Sequence, residues 1–270
     1  MPTWVFRGFT NEGPDDGLLL TVLGRDDTGG IIWGPTVLEE AEEYGLRLTS
    51  DNRLIDTAAG DEVPSDVDLI SPMPQEEIDR LDRFTVDQFR TRVVTPSDRR
   101  WVERPFLCSG LTGGEAQLAA VIGYGMAEDR RVTPAQHEPH NFNLAWLRAT
   151  PGEGMLRHRH HATQVVTAKS GRWVVRLEVD GDERTVNLGP LDTLSVPSGV
   201  WRSFEMADPE PGQSATPGWG ELLVVNGGDG RVDLQWDAEV VRAARSAGTV
   251  IDANGYLAPV SVLTAATEDD

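Results

Sequence analysis

Apolar positions along the chain follow two periods. Phe142, Leu144 and Trp146 alternate with polar or small residues, and Trp173, Val175, Leu177 and Val179 do the same. A period of two marks half-buried strands, and Asp180-Gly181 is a hairpin turn after the second run. A period near 3.6 stands out in two places. In the first, Thr36 and Glu39 have capping-box spacing, Val37, Leu38, Ala41 and Tyr44 form an apolar stripe, and Gly45 is a stop. In the second, Asp237 is the cap, Val240, Val241 and Ala244 form the stripe, and Gly248 terminates it. The 28 glycines and 17 prolines are spread through 270 residues, which favours many short strands and turns over a helical bundle.

Both helical segments lie inside an internal repeat. At an offset of 203, Leu19-Leu20, Val22, Gly24, Asp26 and Trp33 meet Leu222-Leu223, Val225, Gly227, Asp229 and Trp236. Val37, Ala41, Gly45 and Leu54 then meet Val240, Ala244, Gly248 and Leu257 without a gap. Upstream, an offset of 195 pairs Pro2, Val5, Arg7 and Phe9 with Pro197, Val200, Arg202 and Phe204. The organisation expected is a partial repeat over 1–59, an acidic linker or arm over 60–100, and a strand-rich domain over 101–270.

Charge narrows the function. Acidic residues number 44 against 24 basic ones, a formal net charge of −20. With no basic patch, nucleic acid is an improbable partner. No apolar run is long enough to span a membrane, and residues 1–10 lack the form of a secretory signal, so a cytoplasmic protein is expected. The single cysteine, Cys108, excludes an internal disulfide and reads as a small buried hydrophobe. Gly113-Gly114 lacks the lysine of a phosphate loop, and Ser109-Gly110 lacks a nucleophile elbow.

The candidate chemistry lies in the histidines, His137, His140, His158, His160 and His161. On a strand, His158, His160 and Gln164 project from one face while His161 points to the other. Two imidazoles so placed suit adjacent positions around one iron, copper, nickel or zinc ion. A hydrogen-bonded surface pair beside Arg157 and Arg159 is the plainer alternative.

Gly152, His158, His160, Gln164 and Gly171 have the spacing G-x5-H-x-H-x3-E-x6-G, with glutamine for glutamate. Leu191, Pro197, Gly199 and Arg202 have the spacing G-x5-P-x-G-x2-H, with leucine for glycine and arginine for histidine. In these motifs the chain resembles the cupin superfamily, and Pro151-Gly152-Glu153 before the histidines is similar to the gentisate and quercetin type of dioxygenase. The resemblance implies an all-β double-stranded β-helix, or jelly roll. With the repeat, it implies a bicupin-like arrangement carrying a partial duplicate.

It also implies a divalent metal, foremost Fe(II) with Ni, Mn or Zn as alternatives, held at the motif positions by His158, His160 and Gln164; His140, one strand earlier, is the candidate to complete the set. Arg202, which is always charged and cannot ligate a metal, is expected to hold an anionic substrate group beside Gln164. Three functions remain open: a metal-dependent dioxygenase on a small anionic or phenolic substrate, a non-redox isomerase or lyase, and a non-catalytic small-molecule barrel. A homodimer is expected, because a partial barrel leaves strand edges to cover.

Overall fold

The computed structural model describes residues 5–24, 31–207 and 218–261. The chain divides into two compact units, Met1–Val93 and Val94–Asp270.

In the first unit, Pro35 opens helix α1 (Pro35–Glu43), where its fixed φ suits the first turn. Thr36 therefore lies inside the helix, and the cap position falls to Gly34 without a side-chain bond, which corrects the expected capping box. After Gly45, at φ +79, β1 (Leu46–Leu48) and β2 (Leu54–Asp56) form an antiparallel hairpin. The acidic stretch wraps along this hairpin, with the Ile70 N–H donating to the Leu48 carbonyl and the Ser50 N–H to that of Asp68, both at 2.8 Å. Two short helices follow, α2 (Gln75–Ile78) and α3 (Val86–Arg90). They are too short to show a period, although Thr85 and Gln88 make a true capping box on α3.

The second unit is built on strands β3 (Ala116–Ile122), β4 (Phe142–Ala149), β5 (Gly154–Arg159), β6 (Gln164–Ser170) and β7 (Trp173–Val179). It continues through β8 (Asp182–Leu188), β9 (Thr193–Val196), β10 (Trp201–Met206), β11 (Gly220–Gly227) and β12 (Gln235–Trp236). They form two antiparallel five-stranded sheets, ordered β3-β4-β11-β6-β9 and β12-β5-β10-β7-β8. From β4 to β11 the chain changes sheet at every connection except the β7–β8 hairpin. That winding is the double-stranded β-helix.

Strand β7 buries Trp173, Val175 and Leu177 as its alternation predicts, and Asp180 and Gly181 both take positive φ in the turn. Strand β4 alternates in the opposite sense to the expected one. Asn143, Ala145, Leu147 and Ala149 are buried, while Phe142, Leu144 and Trp146 are only partly covered. The barrel interior takes the small side chains, and Trp146 is covered by the cations of Arg99 and Lys169, 4.0 and 5.5 Å from its ring.

After β12 come α4 (Ala238–Ser246), β13 (Thr249–Ile251) and β14 (Leu257–Pro259). Every boundary of this module lies 203 residues after its counterpart in α1, β1 and β2 (238 − 35 = 203). The repeat is thus realised as a helix–hairpin module. Residues 5–24 form no strand, whereas the segments they align with end in β10 and β11. The two modules differ in burial. Asp237 caps α4 by accepting from the Glu239 N–H at 2.9 Å, and Trp236, Val240 and Ala244 are buried in the core. The equivalent Trp33 and Val37 are 41% and 45% exposed. Cys108 is fully buried, as its composition-level reading expects. Among the described residues, no helix is long and apolar enough to cross a membrane.

Candidate functional site

Both motif segments converge on the barrel interior. Gly152 and Gly171 take φ +79 and +78 in the turns before β5 and after β6. At Gly154 a Cβ would sit 2.0 Å from the Phe204 carbonyl oxygen, so only glycine lets β5 and β10 approach this closely. The register shifts between Phe204 and Arg202, and beyond the shift His158 lies directly opposite Arg202. Each of His158, His160, Gln164 and Arg202 is at most 2% exposed, whereas His161 is exposed, as alternation predicts.

His158 is held by a 2.7 Å bond from Nδ1 to the Leu156 carbonyl. A carbonyl only accepts, so Nδ1 carries the proton and Nε2 presents a lone pair that has no partner. Phe204 and Trp236 pack on its ring at 5.9 and 5.4 Å. The His160 ring stacks against it at 6.3 Å, with both of its nitrogens unpartnered. Burial, reinforced by the charge of Arg202, pushes His160 down to about 3 and His158 well below its ordinary range. Both imidazoles are neutral at pH 7.

Gln164 belongs to a file of amides crossing three strands. Its Nε2 donates to Asn226 Oδ1 at 2.9 Å, and Asn226 Nδ2 donates to Asn143 Oδ1 at 3.1 Å. Asn143 Nδ2 donates in turn to the carbonyls of Gly228 and Gly230, at 3.1 and 3.2 Å. Because the file ends on two carbonyls, its polarity is settled, and Gln164 Oε1 is left as the free acceptor.

Arg202 is the anomaly. One Nη2 bond to the Pro197 carbonyl, at 3.0 Å, holds its guanidinium, while Nε and Nη1 are buried and unpartnered. No carboxylate faces it among the described residues. Burial alone lowers its pKa to about 10, so it remains a cation.

His140 does not join the pair. It precedes β4, its Nδ1 lies 2.6 Å from the Glu138 carbonyl, and its ring edge meets Phe142. Among the described residues no cluster of three or more His, Cys, Asp or Glu side chains is placed to hold a metal. Of the expected donors, His158 and His160 stack on one another, and Gln164 is buried with its Oε1 unpartnered. Sequence reasoning missed Asn143 and Asn226, although each is a polar residue at an inward position of an apolar strand. It also missed Glu128, which is buried behind Trp236 and accepts from Trp236 Nε1 at 2.8 Å and the Leu107 N–H at 2.7 Å. Burial raises the Glu128 carboxyl to about 7.

No family model and no curated protein matches this chain. Among solved structures, it is similar to a cupin 2 domain-containing protein from Halorhodospira halophila at 21% identity, covering 50% of this chain and 78% of that one, TM-score 0.36. The polyketide cyclase RemF from Streptomyces resistomycificus gives the same identity and coverage with TM-score 0.35. A cupin-2 domain from Rhodospirillum rubrum gives 14% identity over 56% of this chain and 85% of that one, TM-score 0.38. The assignment of the fold rests on the strand order and on where the motif residues fall. By both, residues 94–270 carry a double-stranded β-helix, or jelly roll.

Proposed function

We propose that this chain is a metal-dependent cupin enzyme, a dioxygenase acting on a small anionic or phenolic substrate. The observation that carries the reading is the buried, partnerless Nε2 of His158, its tautomer fixed from behind, with the His160 ring stacked against it and Gln164 Oε1 also buried and unpartnered. An acceptor buried without a donor costs about 1–3 kcal/mol, which a bound cation would relieve. Two imidazoles and an amide oxygen fit a divalent first-row ion, foremost Fe(II), with Ni, Mn or Zn accommodated by the same donors. When bound, the ion would supply open coordination positions for dioxygen and substrate. Arg202 then holds the negative group of the substrate, Phe204 and Trp236 exclude water around His158, and the Asn226–Asn143 file aims Gln164. A non-redox isomerase or lyase, or a binding barrel without catalysis, is favoured by one feature, the arginine at the position of the third motif histidine.

Metal analysis of the full-length protein, purified without chelator and reconstituted anaerobically with Fe(II), tests the reading. One equivalent of metal and oxygen uptake with a phenolic acid are expected. A wild-type site that stays empty overturns it. We further propose a homodimer, for which light scattering should give about twice the 29.5 kDa chain mass.

A further inference from the structure

We propose that Arg202 is the receptor for a small carboxylate, taken into the barrel interior whether or not a metal is present. The inference rests on reading the buried His158, His160, Gln164 and Arg202 side chains as a ligand site, and it gives that site its ligand class.

Arg202 is 1% exposed, yet its charge is balanced by no carboxylate among the described residues. A buried cation left uncompensated is strongly unfavourable, and an anion taken up beside it would relieve that cost. Its neighbours do not compensate it. His158, His160 and Gln164 bring no carboxylate to it. The Pro197 carbonyl takes one Nη2–H, which leaves the second Nη2–H beside either the Nε–H or an Nη1–H as a parallel pair of donors. Planar, coplanar donors match the two oxygens of a carboxylate, and a single negative charge balances a single guanidinium. A dianion such as phosphate would leave a surplus charge in the same dry interior.

The test uses chelator-treated full-length protein at constant ionic strength set with chloride. Acetate should raise the thermal midpoint saturably by several degrees, while acetamide, its neutral analogue, should not. The same acetate titration should move the imidazole resonances of His158 and His160, which places the anion beside them. Arg202→Gln should lose the response, and Arg202→Lys should keep a weakened one. If Arg202→Gln fails to fold, the wild-type comparison and the imidazole resonances decide. Equal responses to acetate and acetamide, or an acetate response retained in Arg202→Gln, would overturn the proposal. Metal-free protein that takes acetate but never metal would refute the oxygenase reading alone. Metal-loaded protein indifferent to acetate would refute this proposal alone.

Discussion

Gln164 donates through Nε2 to Asn226 Oδ1 at 2.9 Å, and this one bond determines which atom of Gln164 is left unpartnered. A glutamate there, although it restores the usual motif residue, would set a carboxylate oxygen against Asn226 Oδ1. Asn226 cannot turn to donate without breaking its bond to Asn143. Gln164→Glu should therefore lower the stability of metal-free protein by about 1–3 kcal/mol in urea unfolding. Saturating Mn(II) should recover part of the loss. An unchanged midpoint would mean that the amide file does not constrain Gln164.

His158→Ala and His160→Ala should each reduce metal content to background after reconstitution, with the far-ultraviolet dichroism of the barrel retained. Each removes an unpartnered ring nitrogen from the interior, which offsets part of the lost packing. Stoichiometric metal in the double variant would assign the ion elsewhere.

Glu128 makes stability depend on pH. Its carboxyl, ordinarily at 4.5, is raised to about 7 by burial, so the folded protein holds a proton that the unfolded chain has released. Its contribution is fully present below 4.5 and is lost as pH rises through 7, a change on the order of 3 kcal/mol. The difference in unfolding free energy between wild type and Glu128→Gln should slope accordingly between pH 4.5 and 7. A flat difference would contradict the burial of the acid.

Leu191 adopts φ +72, a left-handed conformation, at a position where the cupin motif has glycine. Its side chain is 61% exposed, so little packing is gained in return. Left-handed backbone costs a side-chain-bearing residue roughly 1–2 kcal/mol, and glycine returns part of that as unfolded-state entropy. Leu191→Gly should stabilise the protein by about 1 kcal/mol in thermal unfolding. Destabilisation would show that the turn is not strained.

The two helix–hairpin modules should respond differently to the same truncation. Val240→Ala removes buried methyl groups and should cost about 2 kcal/mol. Val37→Ala, at a position 45% exposed, should cost about 0.5 kcal/mol or less. Equal costs in chemical denaturation would mean that α1 is as well covered as α4.

Much of this protein is a local property of its sequence. The period of two located β7, Asp180-Gly181 located its turn, and the alignment at 203 located a module whose helix and strands recur at that offset. Strand parity accounts for His158 alone, because β5 ends at Arg159 and His160 lies just beyond it, while Gln164 opens β6 in the other sheet and is buried through the pairing of the two sheets. Parity does not say which face is inside. In β4 the barrel interior selected Asn143 and Ala145 and left Phe142 and Trp146 on the outer side, since space inside a closed sheet is set by the strands opposite. The polarity of Gln164 depended on Asn226 and Asn143, residues 62 and 83 positions apart from their donors in sequence but adjacent in the ladder. The isolation of Arg202 was likewise decided by tertiary structure. A sequence shows that an arginine is present, whereas only the packing of β10 against β5 and β7 shows that no anion of the described chain reaches it.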